Sequence, residues 1–100
     1  MQKDQHKTKV IFRKFSDGDI IALFPELPGN NNPYETCESY MHVGQHGAAS
    51  VDLTDVTTLA KPEEYASLLS ELESIGYNVQ VAYKFTQKDL QKRIKATKNT

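Results

Sequence analysis

The feature that most constrains the fold is a pair of short apolar runs separated by a tight turn. The first run, VIFRKF at residues 10–15, is rich in β-branched and aromatic side chains, and the second, IIALF at residues 20–24, is apolar throughout. The turn between them contains Asp17-Gly18, a pair that tolerates the positive φ of a tight hairpin. We therefore predict an antiparallel hairpin whose second strand is central and covered on both faces.

The next segment is a loop followed by an alternating strand. Residues 25–35 hold three prolines, a glycine and three consecutive asparagines, a composition that predicts an exposed loop. The strand predicted at residues 37–43 places two sets of side chains on opposite faces. The core is expected to contact Cys37, Ser39, Met41 and Val43; solvent or a partner is expected to contact Glu38, Tyr40 and His42. A hairpin loop at 44–47, a weaker strand at 48–53 and a linker at 54–61 complete this region.

One amphipathic helix is predicted at residues 62–75. Pro62 suits the first helical position, and two glutamates follow it at the positive end of the helix dipole. A single stripe at helical spacing holds Tyr65, Leu68, Leu69, Leu72 and Ile75. Gly76 then supplies a left-handed C-terminal position. A last strand is expected at residues 78–85.

These elements predict an α+β domain with two layers. The order β-β-β-β-α-β gives a mostly antiparallel sheet with one amphipathic helix on one face, spanning residues 9–85. Residues 1–8 are expected to be a disordered tail. Residues 86–100 are basic and compatible with a short C-terminal helix in which Leu90 and Ile94 form a narrow apolar stripe. Since one helix covers one face, the other requires this tail helix or a second protomer, and a homodimer is therefore expected.

The charges are segregated along the chain. The net charge of −1 combines +4 over residues 1–14, −10 over residues 15–83 and +5 over residues 84–100. Basic ends can neutralise phosphates, so one alternative is a nucleic-acid-binding surface. That surface would use Arg13, Lys14, Lys84, Lys88, Lys92, Arg93 and Lys95. In the other alternative the basic ends are solvated or fold back on the acidic body, which itself repels DNA.

The densest group of chemically active residue types is Cys37-x4-His42-x3-His46. Thiolate and imidazole are preferred zinc ligands, and a cysteine beside a histidine is also the pattern of a nucleophile with its base. Strand alternation, however, puts Cys37 and His42 on opposite faces of the sheet. We therefore predict no metal, no cofactor and no catalytic residue, and a lone cysteine in this position is typical of a small buried hydrophobic side chain.

The remaining candidate is a binding surface. It combines tyrosine, histidine and polar side chains from the exposed strand face, the adjoining hairpin and the long loop, namely Tyr34, Glu38, Tyr40, His42, Gln45 and His46. Tyrosine and histidine are common in interfaces. The alternative is an ordinary solvated face, or the layer beneath the tail helix. The prediction is a non-enzymatic protein-interaction module whose partner is another protein or a second copy of the chain.

Composition predicts a cytoplasmic location. The longest apolar run has five residues, whereas a membrane span needs about 20. The N-terminal MQKDQHKTK has no apolar segment of the kind that a secretory signal contains. A single cysteine excludes an internal disulfide and suits a reducing compartment.

Three segments carry a resemblance to known sequences: VIFRKFSDGDIIALFPELP, CESYMHVGQHGAA and KPEEYASLLSELESIGY. Together they resemble a family of small uncharacterised proteins of bacterial genomes, phages, plasmids and other mobile elements. The resemblance covers residues 9–83, nearly the whole predicted domain. It implies a cytoplasmic accessory protein, and because the family has no established activity it implies no catalytic residue.

Overall fold

The computed structural model describes residues 7–42 and 44–98 and confirms the α+β fold class. Within those residues, six strands form one sheet that is accompanied by two α-helices and one 3-10 helix. The elements are β1 (Thr8–Lys14), β2 (Ile20–Phe24), β3 (Thr36–Met41), β4 (Gln45–Ser50), the 3-10 helix (Val51–Asp55), β5 (Thr58–Leu59), α1 (Pro62–Ser74), β6 (Val79–Ala82) and α2 (Gln87–Lys98).

The sheet runs in the order β4-β3-β2-β1-β5, and β6 also pairs with β1. Strands β1 to β4 form an antiparallel meander. The outer side of β1 is divided between two short strands: β6 lies parallel to its first half and β5 antiparallel to its second half. The strand β4 therefore forms one edge of the sheet alone, and β5 and β6 share the other.

The first face of the sheet packs against α1 through an apolar core. Tyr65, Leu68 and Leu72 are the buried residues of α1, and the Tyr65 ring stacks on Phe12 at 4.3 Å between centroids. Beyond the C-cap residue Ile75, Gly76 has a φ of 114°, a left-handed value that glycine adopts without strain and that turns the chain away from the helix. The predicted helix is thus present, but it ends at Ser74, and Ile75 of the predicted apolar stripe is exposed because it lies beyond the helix as its C-cap.

The second face of the sheet has its own core. Ile11, Ile21, Leu23 and Cys37 are buried there, and Leu53 and Phe85 pack against them. Side chains of β2 alternate between this core and the α1 core, since Ala22 and Phe24 belong to the latter. The prediction that β2 is a central strand covered on both faces is confirmed.

The helix α2 buries two charged side chains most deeply, while Leu90 and Ile94 of the predicted apolar stripe are half-buried. Its buried residues are Asp89, which has no exposed surface, and Arg93, which is 3% exposed. Lys9 Nζ lies 2.8 Å from Asp89 Oδ1. Arg93 donates from Nε to the Pro33 carbonyl at 2.7 Å and from Nη1 to the Pro25 carbonyl at 2.6 Å. The helix is therefore held on the protein by an ion pair and by hydrogen bonds to the loop that precedes β3.

The hairpin β3–β4 differs from its predicted limits. The strand β3 ends at Met41, and Val43 lies outside the described residues. The strand β4 begins at Gln45, three residues before the predicted start. It ends at Ser50 because the Ser50 hydroxyl accepts the Asp52 N–H at 3.1 Å and caps the 3-10 helix, while β5 forms within the predicted linker.

Of the predicted N-terminal tail, residues 1–6 lie outside the described part of the chain, and Thr8 already belongs to β1.

Candidate binding surface

Five side chains from the β3–β4 hairpin and α1 form one group, the histidine–carboxylate cluster: Glu38, Tyr40, His42, His46 and Glu71. Glu71 joins the two elements, because its Oε1 lies 2.6 Å from His42 Nδ1 and its Oε2 accepts a hydrogen bond from the Tyr40 hydroxyl. On the same hairpin, His46 Nδ1 lies 3.0 Å from Glu38 Oε2. The cluster therefore fastens the end of the hairpin to the last turn of α1.

Tyr40 is buried, so the prediction that it faces solvent or a partner is wrong. It is 2% exposed and belongs to the α1 core. Its face of the sheet, which the sequence pattern suggested to be open, is the face that α1 covers. The Tyr40 hydroxyl accepts the Gly44 N–H at 3.0 Å, and the hydrogen bond to Glu71, together with burial, raises its pKa. A hydroxyl held in this way acts as a structural link between the hairpin and the helix.

Two histidines form the accessible part of the cluster. His42 and His46 have side chains that are 45% and 42% exposed, and a carboxylate holds Nδ1 of each ring. The His46 ring also meets Tyr40 edge-on at 4.7 Å between centroids. Because a carboxylate oxygen accepts, each Nδ1 carries a proton, which leaves Nε2 as the second contact point of each ring.

Cys37 lies on the other face of the sheet, as the alternation predicted. It is fully buried, and burial raises the pKa of its thiol to about 11 even though Arg93 lowers it. A thiol with such a pKa stays protonated near neutral pH. Among the described residues, no group of three or more His, Cys, Asp and Glu side chains is arranged to hold a metal ion.

The structure separates the predicted surface into two places. Gln45 begins β4 beside the cluster and is exposed. Tyr34 is 63% exposed but lies just before the first residue of β3, whereas His42 follows the last one. Six strand residues span about 20 Å, so Tyr34 is not brought together with the histidines.

The uncovered edge of the sheet is the most accessible feature of this region. Five of the six β4 residues are exposed, and the strand QHGAAS carries no lysine, proline or carboxylate. Its middle consists of glycine and alanine, so little side-chain bulk stands beside the backbone. Natural edge strands are usually protected by charge, proline, bulges or shortness, and β4 has six residues in unbroken register with β3.

The register identifies which backbone groups of β4 face outward. The Val51 N–H donates to the Glu35 carbonyl at 2.8 Å, so positions 51, 49, 47 and 45 point towards β3. Positions 50, 48 and 46 therefore point away from it. The His46 N–H is occupied by the Gly44 carbonyl at 3.1 Å. Ser50 is the N-cap of the 3-10 helix, a position whose carbonyl is the acceptor of the first helical bond. What remains outward is the N–H and carbonyl of Ala48, the N–H of Ser50 and the carbonyl of His46.

Most of the basic residues predicted to bind phosphate have partners within the domain. Arg13 donates to the Thr57 hydroxyl and to the carbonyls of Thr54 and Thr57 at 2.5–3.0 Å. Lys14 pairs with Glu64, and Lys92 Nζ lies 2.9 Å from Glu26 Oε2. Because Arg93 is buried against two carbonyls, the prediction that it grips phosphate is wrong. Lys84, Lys88 and Lys95 are exposed and form no ion pair with the described residues.

The sequence pattern indicated neither the role of Glu71 nor the burial of Asp89 and Arg93 on α2. Glu71 directly precedes Leu72 and lies three residues after Leu68, at the border of the apolar stripe, and this position was the available signal. Asp89 and Arg93 are four residues apart on one side of α2, a spacing that is equally common in solvated helices. Only the packed structure distinguishes the two cases.

Comparison with known proteins adds no family to these observations. No family model, curated protein or solved structure matches the chain. The resemblance to proteins of mobile elements therefore stays a prediction. Within the described residues, no helix is long and apolar enough to cross a membrane.

Proposed function

We propose that this chain is a non-enzymatic protein-interaction module that binds an extended partner strand along β4. The observation that carries the proposal is the edge of β4, where Ala48 and its outward neighbours have hydrogen-bonding groups that no strand within residues 7–42 and 44–98 pairs with. Strand addition is a common mode of peptide recognition, in which main-chain hydrogen bonds supply affinity and side-chain contacts supply specificity.

The small residues of β4 support this mode of binding. A strand added to a sheet lies about 4.8 Å from its neighbour, a distance that bulky or charged edge side chains obstruct. Gly47, Ala48 and Ala49 occupy the middle of the edge and leave that space open. The half-exposed ring of His46, at one end of the edge, supplies a polar and aromatic contact for the partner's side chains.

The histidine–carboxylate cluster supports the proposal by fixing the edge in place. Glu71 holds His42 and Tyr40, so the hairpin cannot swing away from α1 without breaking two side-chain hydrogen bonds. The loop before β3 also packs against the hairpin at Gly29. A Cβ at this position would lie 2.5 Å from the Cys37 carbonyl oxygen and 2.8 Å from Ala48 Cβ, so only glycine allows the loop to come this close. A fixed edge loses little conformational entropy on binding.

A selection of displayed random peptides tests the proposal. The wild-type chain is the bait, and the Ala48→Pro variant, which loses one outward N–H, is compared with Ala48→Thr, which keeps it. We expect selected peptides to bind wild type and Ala48→Thr, to lose at least roughly tenfold in affinity for Ala48→Pro, and to shift the amide resonances of β4. Peptides that bind Ala48→Pro equally well, or that shift resonances elsewhere, would contradict the proposal.

A nucleic-acid-binding function is the alternative, and one observation favours it. Lys88, Lys92 and Lys95 follow one another at helical spacing on α2, and all three are exposed. Binding through these lysines would weaken steeply as salt rises. Titration of a labelled mixed-sequence duplex at low and moderate salt tests it: the alternative requires binding with a steep salt slope that the triple substitution of these lysines by glutamine abolishes.

A further inference from the structure

We infer that the strand taken up by β4 is the β4 of a second copy of this chain, paired antiparallel about a two-fold axis at Ala48. The inference rests on the proposed function and names the partner of the same edge. In this arrangement Ala48 lies opposite Ala48 of the second copy, and His46 lies opposite the partner's Ser50.

The outward backbone groups of β4 are self-complementary in this register. An antiparallel pair of residues exchanges two N–H···O bonds when both residues point at each other. The Ala48 pair on the axis can form both bonds. Each pair of His46 with the partner's Ser50 can form one, from the Ser50 N–H to the His46 carbonyl. The second bond of that pair would need the His46 N–H and the Ser50 carbonyl, the two groups already used within the chain.

The backbone groups of β4 that already have a partner within their own chain also fit this register. If the occupied donor and acceptor lay in different pairs, each would leave an unsatisfied partner across the interface. In this register the occupied His46 N–H faces the occupied carbonyl of the partner's Ser50, so neither needs a bond across the interface. Every outward N–H and carbonyl that remains at positions 46, 48 and 50 therefore meets a partner. If the two β4 strands were shifted by one residue, residues that point outward would lie opposite residues that point towards β3. Such pairs form no hydrogen bonds, because the direction of the backbone groups alternates with every residue.

Charge and shape are also compatible with self-pairing. The strand β4 carries no lysine, arginine or carboxylate, so pairing opposes no like charges. The exposed Asp52, just beyond Ser50, would lie towards the histidine end of the other copy. The helix α1 packs mainly over β2 and β6, and its last turn meets the β3–β4 hairpin through Glu71 on one face of the sheet, not along the outer side of β4.

Exchange of charge on the axis tests the register. Ala48→Lys and Ala48→Glu are measured separately and mixed, by light scattering from micromolar to near-millimolar concentration. Because each residue faces its own copy, we expect both single variants to remain monomeric where wild type dimerises, and their equimolar mixture to restore the dimer. Gln80→Lys and Gln80→Glu on β6, an exposed position on the other edge, are the matched controls and should dimerise like wild type.

A cysteine at position 48, on the two-fold axis, gives a second readout that does not require the protein to fold with a charged residue at this position. Hydrogen-bonded antiparallel residues have Cα atoms about 5.5 Å apart, within the range that a disulfide spans. Ala48→Cys should therefore form a cross-linked dimer under mild oxidation, whereas Gln80→Cys should not. The native Cys37 is buried and does not compete.

Three results would overturn the inference: a wild-type chain that stays monomeric at all these concentrations, charge variants that dimerise unmixed, or equal cross-linking of both cysteine variants. The first result would leave strand addition intact if selected peptides still bound β4. The second and third would place the dimer interface elsewhere. Failure of the peptide selection as well would remove both the inference and the proposed function.

Discussion

The two edges of the sheet are built in opposite ways. On one side, β4 presents six residues in unbroken register, nearly all exposed and none with a formal charge. On the other side, β1 is covered by two short strands, the four residues of β6 and the two of β5. Short edge strands offer few consecutive hydrogen-bonding groups, and shortness is one of the ways in which proteins prevent edge pairing.

Polar side-chain contacts hold the covered side of the sheet to other elements of the fold. Arg13 ties the residues before β5 to β1, and Lys9 on β1 pairs with the buried Asp89 of α2. The β4 edge has no equivalent contact from its outer side among the described residues. One edge of the sheet is thus closed by short strands and polar contacts, and the other edge is open. This asymmetry makes β4 the surface to test.

The largest expected effect is the loss of stability when proline replaces one or the other of two adjacent alanines of β4. The Ala49 N–H points to β3 and the Ala48 N–H points outward. Ala49→Pro should lower the free energy of unfolding by about 3 kcal/mol or more, because it removes a ladder bond inside the sheet. Ala48→Pro should lower it by about 1 kcal/mol or less. Urea denaturation followed by circular dichroism measures both, and equal losses would show that the direction assigned to these groups is incorrect.

The second prediction concerns the polar contact between β1 and α2. Asp89→Asn should lower the free energy of unfolding at pH 7 by about 2 kcal/mol, since it breaks an ion pair whose carboxylate is fully buried while Lys9 keeps some contact with water. Burial alone would raise the pKa of Asp89, but hydrogen bonds from Lys9 and Thr86 outweigh it and lower the pKa.

The sign of the pH dependence follows from that lowered pKa. The stabilisation is complete above the pKa of an unfolded aspartate, about 3.9, and is lost as the pH falls through the lower pKa of the folded state. Unfolding measured from pH 7 to pH 2 should therefore show a loss of stability below about pH 4 that is smaller in Asp89→Asn. Identical acid profiles for the two proteins would contradict this role of Asp89.

A smaller effect is expected at the second contact on the covered side. Arg13→Met removes the hydrogen bonds that hold residues 54–57 and should lower the free energy of unfolding by about 1 kcal/mol, because water can reach part of the site. Amide hydrogen exchange should become faster in β5 while β4 stays unchanged. The control, Lys14→Met, removes a partly exposed ion pair and should change stability less.

The smallest effect is expected from a charge on the covered edge. Gln80→Lys adds a lysine to β6, whose side chain at this position is exposed. The melting temperature and the affinity for peptides that bind β4 should both match those of the wild type. A loss of peptide binding in this variant would show that partners use the β6 side as well.

The features that sequence patterns predicted are the ones that depend on apolar periodicity. The helix α1 follows from the helical spacing of residues such as Leu68 and Leu72, because burial of apolar surface selects which side turns inward. The central strand β2 follows from an unbroken apolar run that includes Leu23, because such a run needs cover on both faces. The hairpin between β1 and β2 follows from Asp17-Gly18 in the same way, since local turn chemistry needs no information from distant parts of the chain.

The features that were missed depend on contacts between distant segments. Asp89 and Arg93 are buried because Lys9 and two loop carbonyls reach them from more than 55 positions away. Tyr40 alternates with Cys37 as predicted, but which face α1 covers is decided by tertiary packing and not by the alternation itself. The open edge of β4 likewise depends on strand order, which no local pattern specifies.

Hydrogen exchange at the amides of Ala48 and Ser50 tests the central claim most directly. In dilute protein these two amides should exchange quickly while those of Gly47 and Ala49 are protected, since alternate positions of an edge strand face water. At a concentration where about nine-tenths of the chains are paired, exchange at Ala48 and Ser50 should slow roughly tenfold and the other two should change little. Protection of Ala48 and Ser50 already in dilute protein would contradict the open edge of β4, and exchange that does not depend on concentration would contradict the pairing of β4 with a second copy.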